Sequence, residues 1–216
     1  ETRFDFEKDN AGPGYSFEGI REEFNLNGMR SLYGATKLSS EHLVHEYIDM
    51  FDIKAVINRF GIIAGPWQMG KMDQGLVGYW IAKHLYGGSL KFFGYKGSGK
   101  QLRDALHIDD LCDLVLYELC HMDQLNGKVF NVGGGRDNAF SLLELTQEVQ
   151  QLSAKQLHVT PVPQEQRADI RMYISDNTYI KKETGWYPKR SLRDILEDTY
   201  EWMKNHEEQL KGVLGA

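Results

Sequence analysis

The sequence has few cysteines, and their positions exclude a disulfide framework. Among 216 residues only Cys112 and Cys120 occur, both in one segment with helical periodicity. Positions eight residues apart in a helix are separated by roughly 12 Å, which is too far for a disulfide between them. We therefore expect two buried, reduced thiols, as in a cytoplasmic protein.

The sequence also lacks basic runs and long apolar runs. Its 25 Lys and Arg residues are outnumbered by 31 Asp and Glu residues, which gives a formal net charge of −6. Nucleic acids and anionic membranes are therefore not expected as partners. No apolar stretch approaches the roughly 20 residues that a membrane-spanning helix requires. We expect a cytoplasmic protein.

Metal-site spacing is absent as well. The sequence has seven histidines, of which His42 and His45 lie three residues apart in a predicted helix. No further motif completes a zinc site with them. We therefore predict no metal centre.

The order of periodic segments predicts an α/β fold with a parallel sheet. Apolar residues recur at helical spacing over residues 30–51, and a short apolar strand over 55–60 follows. This order of helix and strand is typical of parallel α/β sheets. Residues 1–28 are polar, which predicts an irregular segment on the surface. Thr160–Pro163 is predicted to interrupt the regular secondary structure. Further predicted elements are strands at 90–93 and 129–132, and helices at 73–86, from a cap at Asp109–Asp110 to about Met122, from a capping box at 141–144, at 176–183 and at 191–205.

Tyr33 and Lys37 form a Y-x-x-x-K pair at the start of the first long helix. Residues four apart lie on one face of a helix, so the phenol and the ammonium can enter the same site. A phenol is a poor base near neutrality, and a neighbouring ammonium favours the phenolate. The bare pattern is common by chance, but small residues fill the gap and a Gly-Pro turn ends the following strand. We predict that Tyr33 and Lys37 are a catalytic pair.

Several stretches match, in order, the motifs of one known family. Residues 31–37 match S-x-Y-G-x-[ST]-K, and residues 59–66 match R-x-x-x-x-x-G-P. Taken together, the stretches resemble the extended short-chain dehydrogenase/reductase family of NAD-dependent epimerases and dehydratases, over nearly the whole chain. The other matches are residues 97–110 to G-x-G-x-Q-x-R-D-x-x-H-V-x-D, 130–134 to F-N-[IV]-G-G, 141–145 to S-x-x-E-L, and 169–176 with 185–188 to D-x-R…D…G-W-x-P.

The resemblance implies a Rossmann-type parallel sheet interleaved with a small mixed α/β domain. Residues 1–66 and 105–135 would belong to the dinucleotide-binding part, and residues 67–104 and 136–216 to the part that binds a sugar nucleotide. The family binds the phosphates of NAD with G-x-x-G-x-x-G after its first strand, and no such element precedes Tyr33. The catalytic Ser or Thr of the family is missing too. We therefore expect a truncated part of a longer enzyme, which by itself neither retains NAD nor turns over.

The resemblance also implies site residues. Tyr33, Lys37, Phe60 and Ile62 would lie on the cofactor side. A guanidinium binds a diphosphate in a planar, bidentate way, so an arginine is expected among the substrate-binding residues. The substrate-binding residues would be Gln74, Leu76, Phe92, Phe93, Arg103, Arg167 and Arg171.

Three of these assignments have alternatives. Arg103 could instead form an ion pair with Asp104 or Asp109. Arg167 and Arg171 compete for a second diphosphate-binding position. Of the two phenylalanines at 92–93, which would stack on the nucleotide base, one could belong to the core.

Residues 73–80 and 99–104 resemble, more narrowly, the CDP-paratose 2-epimerases, also called CDP-tyvelose epimerases. This implies epimerisation at C2 of a nucleotide-diphosphate sugar, through a transient ketosugar and with NAD as cofactor. A 4-epimerase or a 4,6-dehydratase on the same scaffold is one alternative, and a non-catalytic sugar-nucleotide-binding module is another. The intact parent is expected to be a homodimer or tetramer.

Overall fold

The computed structural model describes residues 1–71, 74–164 and 169–215. Helices and strands alternate through most of the chain, as the periodicity predicts. In chain order the elements are β1 Tyr15–Ser16, β2 Gly19–Ile20, α1 Leu32–Phe51, β3 Ile57–Phe60, β4 Ile62–Ala64, α2 Leu76–Tyr86, β5 Leu90–Phe93, β6 Leu102–His107, α3 Ile108–Cys120, α4 Met122–Leu125, β7 Val129–Val132, β8 Ala139–Ser141, α5 Leu142–Ser153, β9 Val159–Val162, α6 Thr178–Thr184, α7 Leu192–Asn205 and α8 Glu207–Leu214.

Parallel strand pairs dominate the sheets. Strand β3 pairs with β7, β4 with β6 and β5 with β9, all parallel. Strand β8 adds to β6 in the antiparallel sense, and β1 and β2 form a short hairpin. Parallel neighbours need long crossover connections, which the helices supply here. Among the described residues, β3 has no strand partner other than β7.

Of three apolar clusters among the described residues, the two largest contribute most to this arrangement. Burying one Leu, Ile or Phe side chain completely contributes about 1.5–3 kcal/mol, so each cluster outweighs any single polar contact. The larger cluster lies among α2, α5, α7 and β5, and the smaller lies among α3, α6 and β7. Fully buried members of the larger cluster are Val77, Ile81, Leu90, Leu145, Ile195 and Leu196, and those of the smaller are Leu114, Phe130, Val132 and Ile180.

Helix α1 contributes to neither cluster. It begins after Ser31, whose Oγ accepts a hydrogen bond from the backbone N–H of Gly34 at 3.0 Å. It ends at Asp52, which has a left-handed backbone conformation with φ of 52°. None of its residues is buried, and Leu43 and Phe51, which helped to predict the helix, are 59% and 62% exposed. The described residues therefore leave the apolar face of α1 open.

The first 28 residues do lie along the surface, but they are tied to it by specific contacts. The backbone N–H of Phe4 donates to the carbonyl of Lys100 at 2.9 Å, and Arg3 pairs with Glu144 at 2.9 Å. The Glu22 carboxylate accepts a hydrogen bond from the backbone N–H of Asn131 at 2.7 Å. The segment thus connects the start of α5 with strand β7.

Three local expectations were wrong. The cap of α3 is His107, whose Nδ1 accepts from the backbone N–H of Asp109 at 3.0 Å, because β6 runs directly into the helix. Residues 160–162 do not break the regular structure, since β9 pairs with β5 there. Pro161 is tolerated because, among the described residues, this sheet has two strands and β9 lies at its edge. Cys112 and Cys120 are exposed rather than buried. The buried stripe of α3 is Asp110, Leu114 and Glu118, and the cysteines lie off it.

Over residues 1–71, 74–164 and 169–215, no group of three or more His, Cys, Asp or Glu side chains is arranged to hold a metal ion. No helix in that part of the chain is long and apolar enough to cross a membrane.

The capping box of α5 provides a test of the fold. Ser141 is fully buried; its Oγ accepts from the backbone N–H of Glu144 at 3.1 Å and donates to the carbonyl of Thr2 at 2.9 Å. Ser141→Ala removes this cap and should lower the free energy of unfolding by about 1–2 kcal/mol, measured by urea denaturation. Ser39→Ala, at an exposed position of α1, is the matched control and should change it by less than about 0.5 kcal/mol. Equal stabilities of the two variants would contradict the assignment.

Candidate active site

Tyr33 and Lys37 line one cavity of about 500 Å³ between α1 and β3. The ammonium nitrogen of Lys37 lies 5.5 Å from the centroid of the Tyr33 ring. Tyr33 is 72% exposed, so the phenol is accessible from the cavity. Phe60, at the end of β3, lines the same cavity. The structure therefore brings together three of the four residues predicted on the cofactor side.

An ion pair attaches the helix that carries this pair to the sheet. Arg59 of β3 donates from Nε to Glu41 Oε1 at 3.0 Å and from Nη2 to Glu41 Oε2 at 2.7 Å. A further Arg59 nitrogen, Nη1, donates to the carbonyl of Glu22 at 3.2 Å. Glu41 follows Tyr33 and Lys37 at the same four-residue spacing, so all three lie along one face of α1. Because α1 has no buried residue, this bidentate pair orients the catalytic candidates.

A second cavity, of about 590 Å³, contains the predicted substrate residues Gln74, Leu76 and Arg103. Ile62, which was predicted on the cofactor side, lines this cavity instead of the one beside Tyr33. It does so because β4 pairs with β6, the strand that carries Arg103. Asp169 lines the cavity as well.

Arg103 is the cation of the second cavity. Its Nη1 donates to the carbonyl of Leu102 at 2.7 Å, and its Nη2 lies 3.4 Å from Asp169 Oδ1. Burial lowers the pKa of Arg103, and the charge of Asp169 acts in the opposite direction. The alternative ion pairs do not form, because Asp104 is fully buried on backbone donors and Asp109 pairs with Arg190 at 3.5 Å.

The other predicted substrate residues lie elsewhere. Phe92 is 8% exposed and stacks on Trp80 in the core, with ring centroids 6.4 Å apart. This is the core position that one of the two phenylalanines was expected to take; Phe93 is half-buried and does not line the cavity. Arg171 is exposed, with its guanidinium 4.2 Å from the Phe4 ring centroid, and does not line the cavity either. Arg167 lies outside the described residues.

Among the residues of the second cavity that sequence reasoning missed, three have polar side chains. Gln68, Gln101 and Asp169 contribute polar groups to its wall. Gln101 had an available signal, because it stands two positions before Arg103 and alternate residues of an extended segment share a face. Asp169 is the first residue of the D-x-R motif. Its contact with Gln101 joins residues that are 68 positions apart, so no local sequence pattern indicates it.

A family model matches the part of the chain that contains most of these residues. The model of the NAD dependent epimerase/dehydratase family matches residues 12–133, which is more than half of the chain. The chain belongs to this family. The matched region includes Tyr33, Lys37 and Arg103.

Relatives cover most of this chain. It is 31% identical to CDP-paratose 2-epimerase of Salmonella typhi over 186 residues, which are 85% of this chain and 54% of that protein. It is 26% identical to UDP-glucuronate 4-epimerase of Thermodesulfobacterium geofontis over 196 residues, or 90% of this chain and 57% of that protein. The chain thus spans about half the length of the curated relatives it matches.

A solved structure confirms the predicted Rossmann-type α/β fold. The crystal structure of UDP-glucuronic acid 4-epimerase from Bacillus cereus, in complex with UDP-glucuronic acid and NAD, superposes with a TM-score of 0.74 at 29% identity. The match covers 87% of this chain and 57% of that one.

The ion pair between α1 and β3 can be tested without a ligand. Glu41→Ala removes the bidentate partner of Arg59, so α1 should open more often. Hydrogen exchange followed by mass spectrometry should show roughly tenfold faster exchange in residues 36–50, with α5 unchanged. Glu46→Ala, at an exposed position of the same helix, is the control. Indistinguishable exchange in the two variants would show that the ion pair does not hold α1.

Proposed function

We propose that the protein carrying this chain is an NAD-dependent sugar-nucleotide epimerase that converts CDP-paratose to CDP-tyvelose by epimerisation at C2. One observation carries the proposal. Phe60 lines the cavity of Tyr33 and Lys37, and Ile62 lines the cavity of Arg103, so Gly61 alone lies between these two lining residues along the chain. A ligand whose diphosphate lies at Arg103 can therefore extend its sugar toward Tyr33.

The relatives support the reaction class. Those with 31% and 26% identity are named as a CDP-sugar 2-epimerase and a UDP-sugar 4-epimerase. Because the chain spans about half of their length, the activity is proposed for the whole protein. Epimerisation at C4 is the second candidate, supported by the structural likeness to UDP-glucuronic acid 4-epimerase.

The residues of the first cavity fit one end of an NAD molecule. Lys37 presents an ammonium suited to ribose hydroxyls, beside the phenol of Tyr33. As the family resemblance of the Y-x-x-x-K pair implies, these residues would hold the nicotinamide end. When bound, NAD supplies a reversible hydride acceptor.

The side chains of this chain supply proton transfer and orientation. The phenolic oxygen of Tyr33, beside the Lys37 ammonium, takes the proton of the sugar hydroxyl as that carbon is oxidised. Arg103 holds the diphosphate while the ketosugar presents its other face. With the hydride returned to that other face, Tyr33 would give the proton back to the sugar oxygen, which completes inversion at one carbon.

The proposal is tested with the full-length protein and CDP-paratose, with products identified by NMR at C2 and C4. Tyr33→Phe should lower kcat by at least about 100-fold, because the base is lost, while CDP affinity stays within about threefold. Tyr47→Phe, at another exposed tyrosine of α1, is the control and should retain activity. Full activity of Tyr33→Phe would refute the role of Tyr33, and a product inverted at C4 alone would replace the 2-epimerase by the second candidate.

A further inference from the structure

We propose that Gln101 is a positioning residue that restrains the Asp169 carboxylate, so that the Arg103 guanidinium stays available to a diphosphate. The inference rests on the proposed function, because a nucleotide diphosphate is the anion that Arg103 would bind there. Neither Gln101 nor Asp169 was among the residues predicted from the sequence.

The orientation of the Gln101 amide is fixed by its partners. Gln101 is 5% exposed, and its Nε2 donates to the carbonyl of Phe93 at 2.6 Å and to Asp169 Oδ2 at 3.1 Å. Both partners are acceptors, so the amide nitrogen and not the oxygen must face them. Gln101 therefore connects the end of β5 to the carboxylate that faces Arg103.

The two oxygens of the Asp169 carboxylate contact different residues. Its Oδ2 accepts from Gln101, while its Oδ1 lies 3.4 Å from Arg103 Nη2. A close carboxylate–guanidinium pair has N–O distances of about 2.7–2.9 Å, often through two parallel hydrogen bonds. The contact between Asp169 and Arg103 is therefore longer than in a close pair and involves one N–O pair instead of two.

The residues at positions 94 and 95 allow the Asp169 carboxylate to lie beside Gln101. A Cβ atom at Gly94, where φ is +70°, would lie 2.9 Å from Asp169 Oδ2. The Tyr95 hydroxyl also donates to the Asp169 carbonyl at 3.2 Å. Glycine at position 94 therefore leaves room for the carboxylate to reach Gln101.

Loss of the Gln101 donor would change which group the Asp169 carboxylate binds. The side chain of Asp169 is 23% exposed, and a largely buried carboxylate is costly unless it is hydrogen-bonded. Arg103 is the cation beside it, so both carboxylate oxygens would turn toward the guanidinium. A diphosphate would then have to displace a bidentate ion pair instead of a single long contact.

The remaining polar atom of Gln101 supports a role in the site. Its Oε1 is buried and has no hydrogen-bond partner among the described residues. An unpaired buried acceptor costs stability, which argues against a side chain placed for stability alone.

The test is a mutant cycle in the full-length protein, with CDP binding measured by calorimetry. Gln101→Met, which keeps the length but removes the donor, should weaken CDP binding about tenfold. Asp169→Asn removes the competing charge, so the double variant should bind within about threefold of Asp169→Asn alone. Gln147→Met, at an exposed position of α5, is the matched control and should bind like the wild type. A loss from Gln101→Met that persists unchanged in the Asp169→Asn background would show a merely structural role and overturn the inference.

A ligand-free measurement separates this inference from the proposed function. Rotation of the Arg103 guanidinium, followed by NMR, should be slower in Gln101→Met than in the wild type, and fast again in the double variant. Failure of the wild type to bind CDP, UDP or dTDP would defeat the proposed function, and the rotation rates would still decide the inference. An unchanged rate in Gln101→Met would overturn it.

Discussion

One buried carboxylate joins β6, the strand that carries Arg103, to the segments that follow β7 and precede α6. Asp104 of β6 is fully buried, and its Oδ2 accepts from the backbone N–H groups of Gly135 at 2.9 Å and Ser175 at 3.1 Å. A Cβ atom at Gly61 would lie 3.0 Å from its Oδ1. Gly61 is the residue between β3 and β4, so a side chain at this position would crowd the carboxylate. Burial raises the pKa of Asp104, which its backbone donors partly offset.

The two halves of the candidate site are stabilised by different forces. The Arg103 cavity is built on β6 and α2, which are packed into apolar clusters. The Tyr33 cavity depends on α1, which the described residues attach through charge and not through burial. Precise placement of Tyr33 is therefore more sensitive to single polar contacts than placement of Arg103 is.

The sequence predicted elements whose signal is local. Periodicity found α1, α7, β5 and β7, a capping box found α5, and the Tyr33–Lys37 pair shares a cavity as its four-residue spacing predicted. Strand β6 was missed because its buried positions include Asp104 and His107, so its pattern is not apolar. Strand β9 was missed because Pro161 is a breaker except at a sheet edge. The relation of Gln101 to Asp169 could not be predicted, since it depends on where two distant segments meet.

The open apolar face of α1 bears on how this polypeptide behaves at high concentration. Contiguous exposed apolar surface favours association, and like charge between molecules opposes it. The formal net charge is only −6 over 216 residues, and the Debye length shrinks from about 30 Å at 0.01 M salt to about 10 Å at 0.1 M. Added salt therefore weakens the repulsion while leaving the attraction through α1 intact, so dilute, low-salt buffers favour the dispersed polypeptide.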